Sequence, residues 1–393
     1  GALAVPKTLL VAEKPSVARD IARVMGVGER GDGCLASENM VVTWAIGHLV
    51  RLAEPDEISP EYKRWSMNTL PILPEEWTLE PISKTRSQLA IVKRLMKSRE
   101  IGSIICATDA GREGELIFRW IYQLAGCTKP VQRLWISSMT DEAIREGMSA
   151  LKPDSAYDPL FQSALCRARA DWLIGMNLSR AFTLKYDALL SIGRVQTPTL
   201  ALLVRRKREI DSFTPQTNYT AEADFGAYRA TYAHSGKLGD ATSFEKRADA
   251  EQITAAVRGR SGVVKRREAS TVKEAPPQLF DLTTLQREAN RRFGFTAKKT
   301  LGIAQDLYEK HKLVTYPRTD CRFLPIDVKP KARKALETLP EPYAALAPAA
   351  VNGLDSAKLG RVFRKEIDSD HHALIPTGKR IDMARLKPDE QKL

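Results

Sequence analysis

The residues best suited to chemistry are a tyrosine and an arginine that lie two positions apart in the stretch 312–320. Pro317 fixes its own φ angle and disfavours a helical conformation for Tyr316, which predicts an extended segment. Residues i and i+2 of an extended segment share a face, so the phenol of Tyr316 and the guanidinium of Arg318 would point the same way. A phenol with a pKa near ~10 is only about 0.1% ionised at neutral pH, so a tyrosine nucleophile needs such positive charge beside it. The pair could therefore act on a phosphate, although an ordinary edge strand would contain the same residues.

Acidic residues follow two hydrophobic stretches that have the pattern of buried parallel strands. Glu13 comes directly after residues 8–12, and Asp109 follows residues 104–107. Because the carboxyl ends of neighbouring parallel strands meet at one edge of a sheet, we expect Glu13 and Asp109 to lie close together. Glu113 would lie one helical turn beyond Asp109, and three such carboxylates suit Mg²⁺, which bridges to phosphate. The alternative is that Asp109 and Glu113 are ordinary acids at a helix N-terminus.

The composition favours a polyanionic partner. The 393 residues include 61 Lys and Arg against 48 Asp and Glu, which gives a net charge of +13 and a pI near 9.5. Nucleic acid is the first candidate, because no apolar run approaches the ~20 residues of a membrane-spanning helix. The five cysteines are scattered, so neither a zinc module nor a disulfide framework is predicted. We expect a soluble intracellular protein with no membrane partner.

A long helical pattern over residues 157–186 carries candidate nucleic-acid contacts. Its apolar periodicity is that of an amphipathic helix, and Arg167, Trp172 and Arg180 lie on it. Arg167 and Asp171 are four residues apart and are predicted to pair along the helix. Most charges on such a helix are simply solvated, so the pattern alone is weak.

Three other features could contact a nucleic acid. Trp65 lies among cations and could stack on a base or belong to the core. The polar run 191–199 opens another helix, and its small hydroxyl residues, glycine and arginine are typical of a phosphate-binding helix start. His371 and His372 bring imidazoles that suit proton handling or a hydrogen bond to phosphate, unless they are a surface pair.

Four separated motifs together resemble those of the type IA DNA topoisomerases, and specifically the bacterial topoisomerase III group. They are Ala-Glu-Lys-Pro-Ser at 12–16 with Ala-Thr-Asp-Ala-Gly-Arg-Glu-Gly-Glu at 107–115, Gly-Arg-Val-Gln at 193–196, Tyr-Pro-Arg at 316–318, and His-x-x-x-x-Pro-Thr at 371–377. The first of these resembles the acidic motifs of the family's TOPRIM domain. The family often has Asp-x-Asp-x-Glu, whereas Gly111 stands at the middle position here. Chance agreement of all four motifs is remote.

The resemblance implies a multidomain α/β and α+β fold that forms part of a toroid. The expected domains are a Rossmann-like TOPRIM domain at 1–152, a helical base with a single-strand groove at 153–215, part of a β-rich arch at 216–278, and an active-site tyrosine domain of the winged-helix, CAP-like type at 279–393. Family members continue well beyond the position of Leu393. We therefore expect the chain to be the N-terminal portion of such a protein.

The resemblance also implies the chemistry and its residues. Tyr316 would attack a phosphodiester of single-stranded DNA and form a 5′-phosphotyrosine, while Arg318 and Lys14 stabilise the phosphoryl charge. Glu13 would protonate the leaving 3′-oxygen, and His371 is preferred to His372 from its place in the motif.

One Mg²⁺ held by Glu13 and Asp109, with Glu113 direct or through water, is the expected cofactor. The expected DNA contacts are Trp65, Arg167, Trp172, Arg180, Ser191, Ile192, Gly193, Arg194, Val195, Gln196 and Arg318.

The expected function is ATP-independent, Mg²⁺-dependent cleavage and religation, with relaxation of negative supercoils and decatenation, by a monomer in the bacterial cytoplasm and nucleoid. Single-stranded and underwound duplex DNA are the expected partners. The first alternative is a truncated form that binds and cleaves single strands without multi-turnover relaxation. Two others are a tyrosine recombinase, which needs no acidic metal edge, and a DNA-binding module without catalysis.

Overall fold

The computed structural model describes residues 6–234, 241–354, 360–365, 367 and 371–393. The chain divides into two compact units, one formed by Gly1–Arg194 with Pro276–Leu393 and the other by Val195–Ala275. The predicted four-domain division is finer than these units and stays a prediction. Among the residues described, no helix combines the length and the apolarity needed to cross a membrane.

The first unit begins with a mixed sheet, parallel at its centre and antiparallel towards both ends, and with the helices that cover it. Its elements are β1 (Lys7–Ala12), α1 (Pro15–Val24), β2 (Glu29–Gly31), β3 (Cys34–Ala36), β4 (Met40–Trp44), β5 (Val50–Leu52), α2 (Pro55–Ile58), β6 (Leu79–Pro81), α3 (Arg86–Lys97), β7 (Ile101–Ala107), α4 (Arg112–Ala125), β8 (Val131–Arg133), α5 (Asp141–Ser149), β9 (Lys152–Pro153) and α6 (Asp158–Tyr186). The sheet order is β2-β3-β4-β1-β7-β8-β9, with β1 parallel to both β4 and β7. The two strands predicted to carry the acids are therefore neighbours.

Strand β1 is buried on both faces, which explains its continuous hydrophobic run. Leu9 and Val11 belong to one hydrophobic cluster, and Leu10 and Ala12 belong to the other. Side chains alternate between the faces of a strand, so each face of the sheet receives every second residue. Helices cover both faces, and the carboxyl edge is left as the surface where the loops after β1 and β7 emerge.

The second unit is smaller and is described by itself. It contains α7 (Gln196–Asp211), β10 (Tyr219–Thr220), β11 (Glu222–Asp224), β12 (Arg229–Thr231), β13 (Ser243–Phe244) and α8 (Arg247–Val257). Strands β10 and β13 pair antiparallel, as do β11 and β12. Ala221, Phe244 and Ala250 form its small core.

The C-terminal part of the first unit carries the tyrosine motif. Its elements are α9 (Leu282–Phe293), α10 (Ala297–Asp306), a π-helical turn (Leu307–His311), β14 (Leu324–Pro325), α11 (Lys329–Glu337), α12 (Ala347–Leu354), β15 (Phe363–Arg364) and α13 (Pro388–Lys392). Val314 forms an antiparallel bridge with Pro376. The backbone N–H of Thr315 donates to Ile375 O at 3.0 Å. These bonds place the tyrosine motif beside the histidine motif.

A buried ion pair fixes the carboxyl edge of the sheet. Arg133 and Glu115 are both fully buried, and Arg133 Nε lies 3.0 Å from Glu115 Oε2. The same guanidinium donates to the carbonyl oxygens of Thr108 at 2.7 Å and of Asp109 at 2.8 Å. Arg133 therefore joins the end of β8, the first turn of α4 and the loop after β7. A single side chain determines the path of the backbone at Asp109.

We expect Arg133→Met to destabilise the first unit, because it would leave the Glu115 carboxylate buried with less compensation. The predicted loss is about 3–5 kcal/mol in the free energy of unfolding, measured by urea titration. Arg145→Met is the matched control, since Arg145 is exposed on α5, and it should change the free energy of unfolding by less than about 0.5 kcal/mol. Equal unfolding midpoints for the two variants would contradict the role given to Arg133.

Candidate active site

The two strand-end acids meet as the parallel strands require. Ala12 of β1 is in register with Ala107 of β7, so the loops that follow leave the sheet side by side. The backbone N–H of Asp109 donates to Glu13 Oε2 at 3.1 Å. Residues nearly a hundred positions apart in the sequence are thus in direct contact.

The electrostatics of Glu13 and Asp109 favour a bound cation beside them. Burial, followed by the charge of Asp109, raises the pKa of Glu13 to about 7. Burial also raises the pKa of Asp109. Two neighbouring, partly buried carboxylates disfavour double ionisation, and a bound divalent ion would relieve that penalty. Mg²⁺ is commonly held by one or two carboxylates together with waters, so Glu13 and Asp109 fit this ion.

Glu113 does not join the pair. Its carboxylate forms an ion pair with Arg167 and lies 3.3 Å from His48 Nε2. In the part of the chain that the structure describes, no group of three or more His, Cys, Asp or Glu side chains converges as a metal-binding set. A direct role for Glu113 as a metal ligand therefore stays a prediction.

The predicted pairing of Arg167 with Asp171 along the helix is wrong. Arg167 pairs with Glu113 of α4, whereas Asp171 accepts a hydrogen bond from Arg194 Nη1 at 2.7 Å. The tertiary partners of both side chains replace the local i, i+4 pair. As a result, Arg167 lies beside the acidic edge.

Lys14 reaches across to the tyrosine segment. Its Nζ lies 2.7 Å from Glu309 Oε1 and 3.9 Å from Asp109 Oδ2. Burial disfavours the charged ammonium, but Asp109 and Glu309 outweigh it and raise the pKa of Lys14. Sequence reasoning missed Glu309, because nothing in its local pattern distinguishes it from a solvated helix acid.

Tyr316 lies against the same edge. Its backbone N–H donates to Ser137 O at 3.0 Å, and its ring packs 5.5 Å from Tyr308. Burial, then the charges of Asp109 and Glu13, raise the pKa of Tyr316 above its ordinary value, and Arg318 opposes them. The phenol, both acids and the guanidinium therefore lie within electrostatic reach of one another.

The neighbours of Tyr316 in sequence take different positions. Arg318 is exposed. Lys312, by contrast, forms an ion pair with Asp20 of α1 and has only 12% of its side chain exposed. Arg318 is therefore the cation of this motif that remains accessible to a phosphate.

The structure distinguishes the two histidines. The ring of His371 lies 4.5 Å from that of Tyr316, and burial with the adjacent His372 lowers the pKa of His371 to about 4. The imidazole is thus neutral at physiological pH. His372 instead lies 3.4 Å from Ser137 Oγ and 2.8 Å from its neighbour's carbonyl oxygen, Ala373 O. The preference for His371 rests on this ring contact as well as on the motif.

Two of the residues predicted to contact DNA are part of the protein interior. Trp172 is 7% exposed and donates its indole N–H to Ala53 O at 2.9 Å. Arg180 is 5% exposed and donates to Tyr62 O at 2.6 Å. Because these hydrogen bonds occupy their polar groups inside the packing, the structure corrects both assignments.

The other residues predicted to contact DNA differ in their exposure and in the unit to which they belong. Trp65 is 37% exposed, with the Arg180 guanidinium 5.1 Å from its ring. Arg194 is exposed and pairs with Asp171, and Ile192 N donates to Ser179 Oγ at 2.9 Å. Ser191 and Gly193 belong to the same unit. Val195 and Gln196 belong to the second unit.

Comparison with known proteins identifies the class. The Toprim domain model matches residues 8–139, and the model of the DNA topoisomerase family matches residues 155–393. The chain belongs to this family, its first part is a Toprim domain, and it has the fold of a type IA topoisomerase. The resemblance and the fold class predicted from the four motifs are confirmed.

Individual relatives show how much of such a protein is present. The chain is 44% identical over 393 residues to the DNA topoisomerase 3 of Bacillus subtilis (strain 168), covering 98% of this chain and 53% of that protein. The DNA topoisomerase 3 of Bacillus licheniformis is 43% identical over 388 residues, with the same coverage. Full-length topoisomerase I from Thermotoga maritima matches with a TM-score of 0.67 at 25% identity, covering 98% of this chain and 58% of that one. The chain thus spans about half the length of the curated relatives it matches.

Gly114 is a further residue on which the acid pair depends. A Cβ added there would lie 2.0 Å from the Asp109 carbonyl oxygen, too close for any side chain. The Thr108 hydroxyl also donates to Gly114 O at 2.7 Å. The glycine between two glutamates was visible in the sequence, but its close approach to Asp109 was not.

We expect Gly114→Ala to displace the loop that carries Asp109 and to lower the free energy of unfolding by about 1–3 kcal/mol, measured by urea titration. Gly302→Ala is the matched control, because a Cβ at Gly302 of α10 would have nothing within 4 Å. A helical glycine-to-alanine change in open space should be neutral or stabilising by up to about 1 kcal/mol. If Gly114→Ala proved as stable as Gly302→Ala, the close approach would not be a constraint.

Proposed function

We propose that this chain is the strand-cleaving portion of a type IA DNA topoisomerase and that Tyr316 is its nucleophile. The observation that carries the proposal is the position of Tyr316. The charges of Glu13, Asp109 and Arg318 act on its phenol. Its backbone N–H donates a hydrogen bond to Ser137 O of the Toprim part. A tyrosine, an accessible arginine and a buried acid pair at one edge suit phosphoryl transfer.

The reaction is a transesterification that conserves the number of phosphate ester bonds. The phenol oxygen of Tyr316 attacks the phosphorus, so the Oη–P bond forms as the bond between phosphorus and the 3′-oxygen breaks. The phenol loses its proton, and the departing 3′-oxygen gains one, leaving a 5′-phosphotyrosine and a 3′-hydroxyl. Reversal of the same steps reseals the strand. No ATP is needed, because the ester keeps the energy of the broken bond.

Side chains of this chain perform three tasks in that reaction. Arg318 and Lys14 stabilise negative charge on the phosphoryl oxygens as the trigonal bipyramid forms. Glu13 supplies the proton to the leaving 3′-oxygen, a role carried over from the family motif. His371, neutral and tilted against the Tyr316 ring with 4.5 Å between the ring centroids, holds the ring orientation and offers a hydrogen bond to the phosphate.

Glu13 and Asp109 are the residues that would hold Mg²⁺, with Glu113 bound directly or through water. When bound, the ion would offset the repulsion between the acids and supply positive charge for a DNA phosphate. Asp109 is kept in place by Arg133 and by the close approach of Gly114. The protein therefore supplies a rigid ligand in Asp109 and a proton donor in Glu13.

Single-stranded and underwound duplex DNA are the proposed substrates. Arg167, Arg194 and Trp65 are the contacts that remain accessible on the helical part, together with Ser191, Ile192, Gly193, Val195, Gln196 and Arg318. For the complete protein we propose relaxation of negative supercoils and decatenation, by a monomer in the bacterial cytoplasm. Because the chain spans about half of its relatives' length, the second candidate is single-strand binding and cleavage without multi-turnover relaxation.

Incubation with a 3′-labelled single-stranded oligonucleotide should yield a covalent protein–DNA band on a denaturing gel. The label should move with the protein, because the tyrosine joins the 5′-phosphate of the labelled fragment. Tyr316→Phe lacks the attacking oxygen and should abolish the band. Tyr343→Phe, which changes an exposed tyrosine, is the control and should leave the band unchanged. A band that survives in Tyr316→Phe would refute the assigned nucleophile.

Metal removal should slow resealing more than cleavage, because the uncompensated charges of Glu13 and Asp109 would repel the DNA phosphate. With a preformed covalent adduct and excess 3′-hydroxyl acceptor strand, we expect joining in Mg²⁺ to be at least about tenfold faster than in EDTA. Asp109→Asn should raise the Mg²⁺ concentration for half-maximal joining by about 10–100-fold. Glu113→Gln in the same titration decides whether Glu113 is a ligand. Equal joining rates in EDTA and Mg²⁺ would contradict the metal assignment.

A further inference from the structure

Glu309 contacts the catalytic cation from the tyrosine segment. Lys14 Nζ lies 2.7 Å from Glu309 Oε1 but 3.9 Å from Asp109 Oδ2, so Glu309 is the closer of its two partners. Gln305 donates to the same Glu309 oxygen from one turn earlier in the helix. The carboxylate is only 19% exposed. Glu309 is therefore a fixed, partly buried anchor for a long and flexible side chain.

The backbone explains how Glu309 reaches this position. Helix α10 continues as the π-helical turn Leu307–His311, which ends at Lys312 with a left-handed φ of 60°. A π turn changes the direction in which successive side chains point, and such turns are frequent at functional sites. Here Tyr308 points towards Tyr316, and Glu309 points towards Lys14. One turn thus contacts both the proposed nucleophile and the proposed phosphate ligand.

We propose that Glu309 is a positioning residue that acts through Lys14. The inference rests on the proposed function, because it assigns Lys14 to the scissile phosphate. A lysine ammonium on a flexible stem would move to the nearest acids if its anchor were removed. The nearest acids are Asp109 and Glu13, whose charges already act on it. Because Glu309 takes the shorter contact with the ammonium, at 2.7 Å against 3.9 Å for Asp109, it limits the hold of Asp109 on Lys14 and keeps Lys14 directed towards the phosphate.

A role of Glu309 that does not pass through Lys14 would give a different pattern of mutational effects. If Glu309 acts only through Lys14, its removal has no further consequence once Lys14 is gone. If it acts instead through Gln305 and the packing of its own helix, its removal adds to the loss of Lys14. A double-mutant cycle separates the two cases.

The test measures single-turnover formation of the covalent adduct on a single-stranded oligonucleotide. The proteins are the unsubstituted chain, Lys14→Ala, Glu309→Ala and the double variant. We expect each single change to slow the reaction by about tenfold or more, because small misplacements of a catalytic group are costly. The double variant should be within about twofold of Lys14→Ala. Glu309→Gln, which keeps an acceptor oxygen for Lys14 without the charge, should show an intermediate rate.

Asp306→Asn is the matched control. Asp306 lies in the same helix but pairs with Lys310 at 2.8 Å, away from Lys14, and its loss should leave the rate unchanged. Thermal melting of every variant verifies that the fold is retained. Multiplicative losses in the double variant, or a Glu309→Ala rate equal to that of the unsubstituted chain, would overturn the inference.

A second measurement separates this inference from the proposed function. In a Tyr316→Phe background, the same cycle is scored as the affinity for the single-stranded oligonucleotide. If the unsubstituted chain forms no adduct, the proposed function fails. The double-mutant cycle measured as DNA affinity still decides whether Glu309 acts through Lys14. Independent effects on affinity would overturn the inference even then. If the adduct forms and Glu309→Ala has no effect, only the inference about Glu309 fails.

Discussion

The repulsion between two partly buried carboxylates is the constraint on which the candidate site depends. Parallel pairing of β1 and β7 forces Glu13 and Asp109 into contact, and burial makes their joint ionisation costly. Neighbouring side chains supply positive charge and hydrogen-bond donors at this edge. Lys14 lies within 3.9 Å of Asp109, and Arg133 holds the Asp109 carbonyl. Arg133 is itself paired with the buried Glu115. A buried ion pair therefore fixes the carboxyl edge of the sheet, and the loss of either partner would leave an uncompensated charge in the interior.

The same negative field governs the tyrosine. Burial, and then the charges of Asp109 and Glu13, raise the pKa of Tyr316, so its phenol is held protonated in the free protein. Arg318 opposes this effect but is exposed, so solvent weakens its influence. Compensation of the acids by a cation removes the main electrostatic source of the raised pKa. The arrangement therefore couples the reactivity of Tyr316 to the state of the acidic edge, rather than to the tyrosine motif alone.

The parts of this site that the sequence predicted are those fixed by strand periodicity and parallel topology. Continuous hydrophobic runs predicted that Glu13 and Asp109 would meet, and they do. The assignment of Trp172 and Arg180 to a groove was wrong, because helical spacing identifies a stripe but not which element covers it. Glu309 was missed because its importance depends on a π turn and on Lys14, which is 295 residues away in sequence. Local pattern carries no information about such a contact.

The contact between the tyrosine segment and the Toprim part has a small apolar centre and a polar margin. Tyr308, Val314 and Tyr316 pack on the hydrophobic cluster of the sheet. At the margin, Lys331 pairs with Glu146 at 3.0 Å and Lys334 pairs with Glu142, beside a cavity of about 650 Å³. Exposed ion pairs of this kind contribute little and exchange readily with water. Such a contact aligns Tyr316 with the acids yet buries little apolar surface, so it resists separation far less than a hydrophobic core.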